Sequence, residues 1–240
     1  MIRAMASTVH LSATLAAASR GVAERIVAIV HEQVATRGRC AIALAGGRTP
    51  ETLYRLLASD FRGAIPWTHV HIFWSDERYV AASDPDSNSR MARRTLLDHV
   101  PCPADHVHPM PTFITPAESA AAAYEQTLRD HLGTVPRFDV MLLGLGADGH
   151  TASLFPHAPA LDERTRWVVA TTAPAPPASR LSLTFGVINR AVNTFILAAG
   201  ADKIAVVEQA RLPQTDPATC PIARLRESTG HVEWWLARVP

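Results

Sequence analysis

The sequence predicts an α/β fold, a mostly parallel sheet flanked by helices on both faces. Three observations carry this prediction. Short apolar runs of strand length alternate with segments of helical periodicity, glycine or polar turns separate them, and most of the runs are uninterrupted by polar residues, as in strands buried on both faces. The 240 residues, spanning 1–240, are expected to form a single domain.

From Leu11 to Thr36, apolar residues Leu11, Leu15, Val22, Ile26, Ile29, Val30 and Val34 recur at helical spacing, and Arg37-Gly38 ends the helix. Cys40 to Ala45 is a short apolar run stopped by Gly46-Gly47, the pattern of a buried parallel strand. Thr49 is expected to cap the next helix, with Pro50 at its first position and Leu53, Leu56 and Leu57 on its buried face. A second unit follows: a strand from His69 to Trp74, a polar stretch from Ser75 to Ser87, and a helix from about Ser89 to His99. Thr115 to Glu118 matches a capping box opening a third helix. A strand from Phe138 to Leu143 runs into the glycine-rich segment Gly144 to His150. Prolines 156, 159, 174, 176 and 177 break the next stretch into loops with a short strand near Trp167 to Ala170. Strands are predicted at Leu181 to Phe185 and Thr194 to Ala199, a helix at Lys203 to Ala210 and a last strand at His231 to Leu236.

Twenty-three basic residues balance 22 acidic ones, so no global field draws the chain to nucleic acid or to an acidic membrane. Cys40, Cys102 and Cys220 are odd in number and lack a paired spacing, which argues against a disulfide framework and for a reducing compartment. The first 18 residues are too interrupted by Ser, Thr and His for a signal peptide or a membrane span, and a cytoplasmic protein is expected.

Ligands in such sheets sit beyond the carboxyl ends of the strands, and the polar motifs fall there. Gly46, Gly47 and Thr49 link a strand to a helix N-terminus, where bare amides and a hydroxyl suit a phosphate as well as they suit a plain tight turn. No Walker lysine follows. Asp76, Glu77 and Arg78 follow the next strand; the guanidinium fits phosphate oxygens and either carboxylate can accept sugar hydroxyls, although a solvated charged loop would look the same. In Gly144 to His150 the glycines admit close approach to a ligand beside Asp148 and His150. His150 is a candidate general base oriented by Asp148, or a structural histidine; the glycine spacing is weak support for a dinucleotide, and no NAD site is expected. Arg180 and Lys203 are cations that can face the same edge. The pairs His69/His71 and His106/His108 could share a metal face, but no third ligand of recognisable spacing accompanies them, so no metal site is expected. No serine sits in a nucleophile elbow, which disfavours covalent catalysis.

In order along the chain, ALAGGRTPETLY, FWSDERYV with DSNSRMARRTLL, FDVMLLGLGADGHTASLFP, RLSLTF and GADK resemble the blocks of the 6-phosphogluconolactonase family, from about Ala41 to Ala210. The family is related to glucosamine-6-phosphate deaminase and, more distantly, to ribose-5-phosphate isomerase. The resemblance implies a modified Rossmann-like fold and hydrolysis of 6-phospho-D-glucono-1,5-lactone in the oxidative pentose phosphate pathway, without cofactor or metal. It implies His150 as the base that activates water, Asp148 beside it, and Arg78 or loop amides facing the oxyanion. Gly46, Gly47 and Thr49 with Arg78, Arg180 and Lys203 would hold the phosphate. The expected partner is thus a small phosphorylated sugar lactone, the expected state a monomer or weak homo-oligomer. Arg48 departs from the serine frequent at its position. Related deaminases carry a Glu shortly after their histidine, whereas Thr151 to Pro156 has none. A sugar-phosphate sensor without turnover is a third reading on the same fold.

Overall fold

A computed structural model describes residues 7–239. The main sheet is built from β1 (Ser7–Thr14), β2 (Cys40–Leu44), β3 (Val70–Trp74), β5 (Val140–Leu143), β8 (Asn193–Ala199) and β9 (His231–Val239). All six strands are parallel, in the order β1-β9-β8-β5-β2-β3. Helices α1 (Leu15–Arg37), α2 (Arg48–Ala58), α3 (Asn88–Thr95), α4 (Ala117–Leu132), the short α5 (Phe185–Ile188) and α6 (Ala201–Arg211) complete the α/β pattern. The fully buried runs Cys40–Leu44 and Val140–Leu143 are the strands the apolar pattern predicts. Chain order places β3 on one side of β2 and β5 on the other, so the strand order reverses between β2 and β5, where ligands of such sheets bind.

Three expectations are corrected. The opening helix begins at Leu15, not Leu11: Ser7–Thr14 is a strand, capped into α1 by the Thr14 hydroxyl accepting from Ala17 N–H. Leu11 is 52% exposed on this edge strand, so its match to the helical period is coincidental. The polar stretch after β3 contains β4 (Asp76–Arg78), which joins β7 (Ser179–Leu183) and β6 (Val168–Thr172) in a separate antiparallel sheet, so these strands are not part of the parallel one. The helix starts also differ. Gly47, not Thr49, occupies the N-cap of α2, and Pro116 holds the N-cap of α4 with no side-chain bond, so the capping box does not form.

Two buried tyrosines fix the strand ends beneath the site. Tyr54 on α2 accepts from Ala45 N–H (3.0 Å) and donates to Ala45 O (2.7 Å), while the Tyr124 hydroxyl accepts from Trp74 N–H at 2.9 Å. Each ring adds apolar burial while its hydroxyl is satisfied, the condition for burying tyrosine without penalty. Ser75 joins the sheets: its N–H donates to Leu44 O (2.8 Å) and its carbonyl accepts from Leu183 N–H (2.9 Å). Among the described residues no helix is long and apolar enough to cross a membrane.

Candidate active site

Above the carboxyl ends of β2 and β5 lies a cleft of about 370 Å³. It is lined by Gly46, Gly47, Thr49, Asp76, Arg78, Asp148, His150, Arg180 and Lys203. The structure therefore brings together nine of the ten residues singled out from sequence. Glu77 is the exception, and the reason is the strand it sits on. Alternation along β4 turns Asp76 and Arg78 to one side and Glu77 to the other. Glu77 is 2% exposed, and its carboxylate accepts from Asn88 N–H (2.6 Å), Ser89 N–H (2.7 Å) and Arg78 N–H (2.8 Å). It anchors the start of α3 rather than a sugar hydroxyl. Burial pushes its carboxyl above the usual range against the pull of those three amides.

The glycine turn after β2 leaves room for a neighbour. A Cβ at Gly46 would lie 1.9 Å from Asn88 Oδ1, so only glycine admits the Asn88 amide, which donates to Asp76 O at 2.9 Å. Asn88 lines the cleft, and its sequence context conceals this because a helix-starting asparagine looks like an ordinary cap. Asp76 is buried, accepts from the Ser153 hydroxyl at 2.7 Å, and keeps its face to the cleft. Helix α2 begins at Arg48 without a side-chain cap, so its first amides remain open to an anion; Arg48 itself is exposed at the rim.

Cations gather in the same cleft. Arg180 lies within β7, not before it, and pairs in register with Arg78 of β4. Two guanidiniums side by side repel, and both keep a buried Nε without a partner among the described residues. Burial, then the charge of Arg78, lower the affinity of Arg180 for its proton. Neither arginine is in an ion pair among the described residues, and there the Arg78 guanidinium donates only to Asp86 O, at 2.9 Å. Lys203, in the first turn of α6, lies 3.6 Å from the carboxylate of Asp202 and also faces the cleft. Buried cations left without carboxylates are costly unless an anion joins them.

The acid–base pair occupies the loop after β5. His150 Nδ1 is 2.5 Å from Asp148 Oδ1, and the His150 backbone N–H donates to the same oxygen at 3.1 Å. Burial alone would raise the Asp148 carboxyl, but the amide and imidazole of His150 outweigh it and hold it below the usual range. The imidazole leans on Phe155 with ring centres 4.6 Å apart, which fixes its plane. With Nδ1 engaged, Nε2 has no protein partner among the described residues. Gly146 makes the pair possible, since a Cβ there would lie 2.0 Å from His150 Nδ1 and 2.4 Å from Asp148 Oδ1. Gly144, Gly146 and Gly149 carry dinucleotide-fingerprint spacing, yet turns rather than a helix follow them, and that fingerprint needs the helix.

Comparison with known proteins agrees with this geometry. The family described as glucosamine-6-phosphate isomerases/6-phosphogluconolactonase matches residues 13–234. A 6-phosphogluconolactonase of Synechocystis sp. is 44% identical over 211 residues, covering 86% of this chain and 85% of that protein. One of Mycobacterium tuberculosis is 41% identical over 208 residues, covering 83% of each. The solved 6-phosphogluconolactonase of Trypanosoma brucei superposes with a TM-score of 0.87 at 33% identity, covering 97% of both chains. That of Leishmania guyanensis gives 0.88 at 31% identity, covering 97% of this chain and 96% of the other. A match spanning nearly the whole chain, in sequence and in fold alike, leaves one conclusion: the protein belongs to the 6-phosphogluconolactonase family.

Proposed function

We propose that the protein hydrolyses 6-phospho-D-glucono-1,5-lactone to 6-phosphogluconate, the lactonase step of the oxidative pentose phosphate pathway, with His150 as general base. The observation that carries the mechanism is the contact between Asp148 and His150 Nδ1, which leaves Nε2 facing a cleft rich in unpaired cations. Asp148 holds the proton on Nδ1, so Nε2 is the basic nitrogen. It takes a proton from water as the water oxygen bonds to the lactone carbonyl carbon. The carbonyl oxygen becomes an oxyanion, with Arg78 or the open amides of the glycine turns as donors. Collapse breaks the bond to the ring oxygen, which receives the proton back from Nε2 and leaves as the sugar hydroxyl. Arg180, Lys203 and the amides starting α2 hold the phosphate, and Asp76 and Asn88 offer groups to the sugar hydroxyls. No metal or cofactor takes part in this scheme. Among the described residues Asp76 and Asp148 are the carboxylates lining the cleft, each bonded to a neighbour, so the extra carboxylate of the deaminases has no counterpart there.

The test is the decay of freshly generated lactone, corrected for spontaneous hydrolysis. His150→Asn should lower kcat by about 10² to 10⁴-fold with KM little changed, the range general-base catalysis supplies. Near-normal turnover in the variant would remove His150 from the reaction. No acceleration by the wild type would remove the activity itself.

A further inference from the structure

A second cluster of chemistry-bearing side chains lies at the far edge of the parallel sheet. His71 is the second residue of β3, the edge strand. His106 and His108 flank Val107, which bridges to Ile72, and His108 N–H donates to Ile72 O at 2.8 Å. His131 comes from the last turn of α4. His71 Nδ1 and His108 Nε2 are 3.2 Å apart, and one nitrogen from each of His71, His108 and His131 falls within 4.8 Å of the others. His106 stacks on His71 with ring centres 4.0 Å apart, and its Nδ1 is buried without a partner.

These imidazoles satisfy one another poorly. A shared proton between His71 and His108 makes one N–H···N bond and leaves the His131 nitrogen unmatched. A single dication would satisfy all three. Zinc binds imidazole nitrogen at about 2.0–2.1 Å, so a tetrahedral ion sets ligand nitrogens about 3.3–3.4 Å apart. The His71–His108 pair already has that spacing, and the His131 nitrogen needs to close by about 1.5 Å at most, within reach of a side-chain rotation. The three histidines are half-buried, which leaves an entry path. Of the charged groups facing them, the Asp105 carboxylate favours positive charge at both His71 and His108, and the Arg39 guanidinium opposes it at His71.

We propose that His71, His108 and His131 form a binding site for a transition-metal dication of the zinc class, with a fourth position left to solvent. The ion is structural. None of these histidines lines the cleft, and His71 lies three residues of strand before Trp74 at the carboxyl end of β3, about 10 Å at 3.3 Å each. One ion would instead tie the end of α4 and the segment around His108 to the edge strand. The expectation of no metal site rested on the lack of a third ligand at a recognisable spacing; α4 supplies one by tertiary packing.

Zinc titrated into the full chain, after EDTA treatment and desalting, should show one equivalent bound by calorimetry and a raised Tm, whereas Mg²⁺ should do neither. His131→Gln should weaken zinc binding by roughly 100-fold, the upper part of the 10–100-fold range that loss of even an outer-shell partner costs, and leave metal-free lactone hydrolysis unchanged. His150→Asn, which removes the imidazole of the cleft, should retain the equivalent. Absence of saturable zinc binding in the wild type, or an equivalent unaffected by His131→Gln, overturns the proposal. Should that variant fail to fold, anomalous scattering at the zinc edge from wild-type crystals decides: a peak among the three imidazoles supports the site, and a peak elsewhere or none refutes it.

Discussion

Replacing Gly146 by alanine separates catalytic geometry from stability. The added Cβ would lie 2.0 Å from His150 Nδ1 and 2.4 Å from Asp148 Oδ1, where ordinary contact begins at 3.4 Å. The imidazole must therefore retreat by the difference, 3.4 − 2.0 = 1.4 Å, or the carboxylate must swing away; either breaks the 2.5 Å contact between them. Both groups are ends of side chains in a partly exposed loop, and the backbone at Gly146 is not in the left-handed region, so folding should tolerate the methyl group with a change within about 1 kcal/mol. Catalysis should not, because misplacing a reacting group by about 1 Å costs on the order of 10²-fold. Gly63, which does not line the cleft, is the control: a Cβ there meets nothing within 4 Å. We expect Gly146→Ala to lose about 10² to 10³-fold in kcat with a melting temperature within about 4 °C of the wild type, and Gly63→Ala to retain wild-type turnover. The assay is lactone decay alongside thermal melting. Full activity in Gly146→Ala, or an equal loss in Gly63→Ala, would refute the assignment of the Asp148–His150 contact as the working geometry.

Other perturbations follow from the same contacts. Lys203→Ala and Arg180→Ala should raise KM by about tenfold or more with smaller effects on kcat, since a phosphate remote from the carbonyl binds alike in ground and transition states; steady-state kinetics showing kcat losses alone would move the phosphate elsewhere. Glu77→Ala should destabilise the fold by roughly 3 kcal/mol or more, because three amides lose a buried acceptor at about 1–3 kcal/mol each; a urea midpoint near that of the wild type would contradict the anchoring role. The folded-state pKa of Asp148 lies below its unfolded value, so its ionised form contributes stability that is present above the unfolded pKa and lost as pH falls through the lowered one. Asp148→Asn should accordingly flatten the acid side of the stability profile below about pH 4, read from urea midpoints at stepped pH; an unchanged slope would show that the pairing with His150 is not formed in solution.

Strands buried on both faces are legible in the sequence because their signal is continuous: Cys40–Leu44 and Val140–Leu143 are unbroken apolar runs bounded by turn residues. The cleft is legible for a related reason, since its polar motifs follow strand ends and the architecture sends ligands there. What stays hidden depends on partners distant in the chain. Strand β1 alternates Val9, Leu11 and Ala13 with polar residues, yet that apolar side is exposed and the strand is held by its ladder to β9, so the alternation marks no core face. β4 is three charged residues long, and without it Asp76 and Glu77 look interchangeable, although the pleat turns one to the cleft and the other to α3. His131 joins His71 only through the packing of α4, which no local spacing encodes.

The pairing of the first described strand with the last has a consequence for how the chain is made. Ser7 lies opposite Val232, and β9 stands between β1 and β8 in the sheet. During synthesis β1 emerges first yet has no template until β9 has been made, so the helix it leads into must wait or pack on an incomplete sheet. Until then the edge of β8 stays open, an exposed apolar strand of the kind that recruits other chains. A chain stalled upstream of His231 would therefore carry both an orphan strand and a sticky edge, which makes the synthesis of β9 the step at which nascent chains of this protein commit to folding or to aggregation.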